Sequence, residues 1–180
     1  ALWIAEELKT QSVLFLVPSL TLLAQTIIEW TGNSKLPFEY LCLCSDKTVN
    51  KKNSEDIKSY EIGSKITTKK SDIVLFLEET KNIRTVIFST YQSAFLISEL
   101  QEQVRFDCDL VICDEAHRTA GLKGRLFSIV VDDNLIKSKK KLFMTATPRI
   151  YSESVIEKAN EKENLIYSMD DEGFYGRPFY

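Results

Sequence analysis

The sequence predicts an α/β fold, a three-layer sandwich with a mainly parallel sheet. Apolar runs of roughly four to six residues recur along the chain, without the alternation of a half-exposed strand. SVLFLV at 12–17 and LVIC at 110–113 are examples. Between these runs stand stretches with apolar residues at helical spacing. Strand and helix alternate, and that order argues for parallel strands joined by helices on both faces. The 180 residues are enough to bury the core of one such domain, and no internal repeat divides them.

The elements follow in order. Ala1 to Lys9 has apolar residues at 1, 2, 4, 5 and 8, a helical spacing with no capping residue before it. Ser12 to Val17 is a strand stopped by Pro18. Ser19 caps a helix over Leu20 to Trp30, ended by Gly32. Phe38 to Cys44 is a second strand. Ser45 to Lys70 is rich in Lys, Asn, Ser and Glu and reads as a surface insertion or long loop. Its lysines (47, 51, 52, 58, 65, 69 and 70) are interspersed with Glu55, Asp56 and Glu61, which favours solubility over phosphate binding. Ser71 to Lys81 fits a helix or a strand by periodicity. Ser71 or Asp72 at the cap, with Glu78 and Glu79, selects helix. Ile83 to Ser89 reads as a strand and Thr90 to Gln103 as a helix, with Tyr91 and Phe95 packing a helix face. Cys108 to Cys113 is a strand, and Leu122 to Val131 a short helix behind a Gly121–Gly124 loop. Lys141 to Thr145 is a strand, Tyr151 to Lys162 a helix and Leu165 to Met169 a strand. Asp170 to Tyr180 reads as a linker.

Composition sets limits. The chain is 44% hydrophobic and 27% charged, as ordinary globular domains are, and its net charge of −3 excludes an overall basic nucleic-acid clamp. Phosphate contacts must then be local. No apolar run is long enough to span a bilayer, and no secretion signal is recognisable. Cys42, Cys44, Cys108 and Cys113 lie in apolar runs at spacings unlike a zinc site, so they read as buried free thiols in a reducing cytoplasm.

Val111 to Arg118, VICDEAHR, concentrates the chemistry. An apolar strand ends on two adjacent carboxylates followed by the only histidine of the chain. In open α/β sheets, ligands sit outside the carboxyl ends of the strands. Two acids there suit a divalent metal and the activation of a water. The competing reading is a solvated acidic turn.

Four motifs in order separate the two. ICDEAHRTAG resembles motif II of superfamily 2 helicases in the DEAH form. FMTATP resembles motif III, FLVPSLTLLAQ motif Ia, and VIFSTYQS motif Ib. Each stands at a strand end, and together they span nearly the whole chain. DEAHRTAG, MTATPRIY and SMDDEGFYG are most similar to the motor domain of bacterial type ISP restriction enzymes, relatives of the type I and type III motors. The resemblance implies a RecA-like domain over 1–170, with 171–180 as connector toward a second RecA-like domain. It implies ATP and Mg²⁺ as cofactors, DNA as partner through sequence-independent backbone contacts, and a bacterial cytoplasmic location. Asp114 would hold Mg²⁺ through water, and Glu115 would orient or deprotonate the attacking water. His117 would bridge the ATP site to motif III or to the second domain. Thr145 and Thr147 would couple the nucleotide site to the DNA path. Ser19, Thr90 and Gln92 would contact backbone phosphates.

One expected part is missing. No pair of the six glycines has the spacing of G-x-x-x-x-G-K-[ST], the loop whose amides and lysine cradle phosphates. In the resembled family that loop opens the helix before motif Ia, so the chain is expected to start just after it. A sheet lacking the corresponding strand would have to leave a gap, close it, or borrow a strand. Two other readings stay open: a non-catalytic nucleic-acid or partner-binding module with a helicase-like fold, and an unrelated α/β metal-dependent hydrolase using Asp114 and Glu115. RNA and DNA share the phosphate contacts, so the choice of DNA rests on the resemblance. Without the glycine-rich loop, the purified 180-residue chain is expected to show no DNA-stimulated ATP turnover. A coupled phosphate-release assay that detects turnover would contradict this.

Overall fold

The computed structural model describes residues 1–44, 66–103 and 106–179. Helix α1 (Leu2–Glu7) leads into strand β1 (Ser12–Val17). Helix α2 (Leu20–Asn33) starts at Ser19, whose Oγ accepts a hydrogen bond from the Leu22 amide at 3.3 Å. It does not stop at Gly32. That glycine has no left-handed φ, and an added Cβ there would meet nothing, so it is carried as an ordinary helical residue. Strand β2 (Glu39–Leu43) follows.

The expected insertion at 45–70 lies mostly outside the described residues, with Lys47, Lys51, Lys52, Lys58 and Lys65. Its end is not a loop. Strand β3 (Ile66–Thr67) pairs with β2, and helix α3 (Lys70–Glu79) begins at once. Neither Ser71 nor Asp72 caps α3. Asp72 sits in its first turn and accepts the Thr67 hydroxyl at 2.7 Å, which ties helix to strand. Lys70 pairs with Glu99 at 2.9 Å.

Strand β4 (Thr85–Thr90) runs into a 3-10 turn (Tyr91–Ser93) and helix α4 (Phe95–Gln103). Strand β5 (Cys108–Cys113), a 3-10 turn (Ala116–Thr119), β6 (Gly121–Leu122) and β7 (Ser138–Phe143) come next. Helix α5 (Glu153–Asn160), β8 (Ile166–Tyr167) and α6 (Glu172–Tyr175) complete the order.

Six strands form one sheet, ordered β3-β2-β4-β1-β5-β7, and every pairing is parallel. Among the described residues the sheet is continuous: β5 lies directly between β1 and β7, and β7 is an edge, so no gap stands within it.

Both faces are buried, which explains the unbroken apolar runs. On one face Leu14, Leu16, Ile87 and Val111 pack with Ile73 of α3 and Ile97 and Leu100 of α4. On the other, Val13, Phe15, Phe88 and Ile112 pack with Ala5 of α1 and Leu23, Ile27 and Trp30 of α2. The four cysteines are buried thiols that form no disulfide. Among the described residues no helix is long and apolar enough to cross a membrane.

Two expectations fail beyond β5. Leu122 to Val131 is not an α-helix but β6 and a 3-10 turn (Ser128–Val130). Gly124 has φ +82, and Ser128 Oγ donates toward the Arg125 carbonyl at 2.9 Å, a local bond that competes with a helical ladder. Leu165 to Met169 holds a strand as read, β8, shorter than expected and paired antiparallel with β6 rather than in the parallel sheet. The segment from Asp170 is not a free linker up to Tyr175. Asp171 caps α6 by accepting from the Gly173 amide at 2.8 Å, and Phe174 and Tyr175 pack on the core.

Trp30 is 4% exposed and meets Phe15 and Phe88 edge-on, at ring-centroid distances of 5.3 and 5.6 Å, whereas Trp3 is 74% exposed. Trp30→Ala is expected to cost about 3–5 kcal/mol in urea denaturation, and Trp3→Ala less than about 0.5 kcal/mol.

Candidate functional site

The chemistry-bearing residues lie along the carboxyl edge of the sheet. Val17 is level with Thr90, Leu16 with Cys113, and Cys113 with Phe143. Neighbouring strands stand about 5 Å apart. Ser19 and the Thr90–Gln92 turn therefore follow β1 and β4, and Asp114 and Thr145 follow β5 and β7.

The acidic turn is fixed by its neighbours. The Asp114 amide donates to the Leu16 carbonyl, the Ala116 amide to the Met144 carbonyl, and the Met144 amide to the Cys113 carbonyl, each at 2.9 Å. Between these bonds Glu115 takes φ 51 and ψ 46, a left-handed conformation uncommon for a residue with a side chain. Asp114 Oδ1 accepts the Glu115 amide at 3.1 Å.

His117 lies between Glu115 and Thr145. Its Nδ1 lies 3.3 Å from Glu115 Oε2 and 3.1 Å from Thr145 Oγ1. A proton on Nδ1 serves both oxygens. In the other tautomer the Thr145 hydroxyl donates to the ring. Thr145 Oγ1 also accepts the Thr147 amide at 3.2 Å, while the Thr147 side chain is exposed. The structure thus brings Glu115, His117 and Thr145 together and leaves Thr147 as a backbone neighbour.

Asp114 lines a cleft of about 470 Å³ together with Ala1, Trp3, Glu29, Asn33 and Met144. Burial pushes its carboxyl above the ordinary carboxylate value. The Glu115 amide opposes the rise, and the Glu115 carboxylate adds to it.

The three residues proposed for phosphate contact differ in presentation. Ser19 and Gln92 are exposed, the former at the N-terminus of the 14-residue helix α2. Thr90 is 6% exposed, and its hydroxyl lies 3.3 Å from Ser93 Oγ. Tyr91 is buried as a packing residue should be, but Phe95 is 44% exposed.

Three hydroxyl residues around the turn were not anticipated. Tyr91 donates to the Asp114 carbonyl at 2.8 Å. Thr119 donates to the Ala116 carbonyl at 2.7 Å and lies 3.1 Å from the Tyr175 hydroxyl. The available signal was the choice of Tyr over Phe within apolar segments, since a buried tyrosine hydroxyl needs a partner.

The family model described as the type III restriction enzyme, res subunit (ResIII), matches residues 1–150. The chain belongs to the ResIII family. Two solved structures resemble this ResIII domain over 97% of its length. One is a nuclease-deletion mutant of the type ISP restriction-modification enzyme LlaGI in complex with a DNA substrate mimic, at 32% identity and a TM-score of 0.71. The other is the ATP-dependent type ISP restriction-modification enzyme LlaBIII bound to DNA, at 34% identity and a TM-score of 0.70. The ResIII domain spans 16% and 12% of those chains. Nothing matches it among curated proteins. With the helicase-like family and these neighbours, the sheet is a RecA-like arrangement, as the motif order implied.

The raised Asp114 carboxyl has a stability consequence. A folded-state pKa above the unfolded value means that the native state binds the proton more tightly, so stability is lost as pH rises through the folded value. Asp114→Asn removes that loss. Without divalent metal it is expected to raise Tm at pH 7, and the gain should shrink as pH falls from 7 through the folded-state value. Calorimetry across that range checks both the sign and the trend.

Proposed function

We propose that this ResIII domain is the ATP-hydrolysing part of a DNA translocase or helicase in a restriction-modification system. The observation that carries the reading is the joining of Glu115, His117 and Thr145 beside Asp114 at the carboxyl edge, within a helicase-like family. LlaBIII is ATP-dependent, and both solved neighbours hold DNA or a DNA mimic, which supports ATP and DNA over RNA here.

Asp114 would hold Mg²⁺, through water. The donor set fits. The Asp114 carboxyl lines the cleft, and Mg²⁺ in nucleotide sites takes one or two carboxylates plus substrate phosphates. The ion would supply charge neutralisation to the phosphates. Glu115 orients the water that attacks the γ-phosphate, or takes its proton, a role for a half-exposed carboxylate at the cleft. His117 holds Glu115 and reports its position to Thr145, at the end of the neighbouring strand. Thr147 continues that segment.

On the nucleic-acid side, Ser19 and Gln92 present a hydroxyl and an amide beside the N-terminus of α2. Such groups suit backbone phosphates and read no sequence. Thr90 acts there through its turn. The glycine-rich phosphate loop and a second RecA-like domain, toward which 171–180 would connect, are to be supplied by the rest of the protein.

In the full-length protein, Glu115→Gln is expected to lower DNA-stimulated ATP turnover by about 10²-fold or more, with the KM for ATP nearly unchanged. Steady-state kinetics test this. Turnover that survives the substitution removes Glu115 from the reaction, and a wild-type protein with no ATP turnover favours the non-catalytic binding module.

A further inference from the structure

We propose that Tyr91 is a positioning residue for Glu115, and that it carries the state of the β4 turn to the acidic turn. The inference rests on the role given to Glu115 above.

The peptide between Asp114 and Glu115 is held at both ends. Its N–H donates to Asp114 Oδ1 at 3.1 Å, and its carbonyl accepts the Tyr91 hydroxyl at 2.8 Å. The first of these bonds is made by a side chain with a second task, the metal. The second comes from a residue that is 1% exposed, with its ring stacked on Phe127 at 5.2 Å and 24°. Rotation of this peptide plane is the motion that would let Glu115 leave its left-handed conformation, which L-residues disfavour. With the plane fixed, the Glu115 carboxylate stays at His117 Nδ1, 3.3 Å away. With the plane free, the backbone relaxes and the carboxylate turns from the cleft.

Tyr91 also belongs to the turn that presents Gln92 to solvent and contains Thr90. A phosphate engaging that turn is one residue from Tyr91 and one hydrogen bond from the Asp114 carbonyl. Tyr91 supplies a side-chain hydrogen bond from this turn to the acidic turn. Nucleic-acid contact at the end of β4 therefore has a direct path to the orientation of Glu115.

Tyr91→Phe in the full-length protein tests this, because it removes the hydroxyl and keeps the ring on Phe127. The expected result is a fall in DNA-stimulated kcat of roughly tenfold to a hundredfold, an unchanged KM for ATP, and a smaller ratio of stimulated to unstimulated rate. In a Glu115→Gln background the same change should have no further effect on kcat. Hydrogen exchange supplies an arm independent of ATP: the Glu115 and Ala116 amides should exchange at least about tenfold faster, with β1 and β4 amides unchanged. Wild-type kinetics in Tyr91→Phe, or acceleration spread evenly over β1 and β4, overturns the proposal. Should the wild-type protein show no ATP turnover, the reading of Glu115 fails by itself, and the exchange pattern still decides whether Tyr91 fixes the turn.

Discussion

The acidic turn depends on three backbone hydrogen bonds that extend the parallel ladder past the end of β5. They join Asp114 to Leu16, Met144 to Cys113 and Ala116 to Met144. β5 has a neighbour on each side, so its end is pinned from β1 and from β7 at once. These pins hold the residues on either side of the left-handed Glu115, and the Tyr91 bond fixes the peptide plane between Asp114 and Glu115 that they leave free. Strand order thus sets the geometry of the candidate carboxylate, because it decides how many neighbours hold the turn.

The same sheet confines polar chemistry to its edge. Helices cover both faces of the central strands, where β1 and β5 are mainly apolar and the cysteines are buried, while the edge strand β7 carries Ser138 and the lysines 139 to 141. Burial pushes the Cys113 and Cys108 thiols up to about 12, which leaves them unreactive as thiolates. Polar groups near the turn are tolerated where each finds a carbonyl or a hydroxyl, as Tyr91, Thr119 and Tyr175 do. These bonds join the β4 turn, the acidic turn and α6 into one unit.

The parts of the fold legible in the sequence were those governed by local pattern. β1 and β5 have the residues their apolar runs indicate, because strands buried on two faces leave an unmistakable signature. The ambiguous run at 71–81 is a helix, as its acidic end residues suggested. Legibility ends where tertiary contacts decide. Gly32 gave a stop signal that α2 overrides, since Trp30 and Ile27 are held in the core and carry the helix past it. β8 looks like any strand in sequence, but its partner β6 contains only Gly121 and Leu122, too short to announce itself. Phe174 and Tyr175 follow a polar segment that reads as linker, and only their docking on Phe143 and Tyr167 reveals a packed end. In the site, the acids and the histidine were visible by residue type. The Tyr91 bond was not, because it links residues 23 apart through a carbonyl that any sequence would supply.

Left-handed residues with a side chain occur at Lys9, Glu115 and Glu163, and only at Glu115 does one stand beside a carboxyl raised by burial. Asp114 is held half-buried against the preference of its charged form, and Glu115 is held left-handed against the preference of its backbone. Stress of this kind, gathered at one sheet edge beside a cleft, is a mark of a functional site on physical grounds. An isolated metal-dependent hydrolase would need the two acids and little more. The tie from His117 to Thr145 at the end of the next strand, and the tie from Tyr91 across β1, connect that pair to neighbouring strand ends. Both suit a site whose state must pass along the sheet edge to groups that face another molecule, which is the requirement that separates a motor from a simple hydrolase.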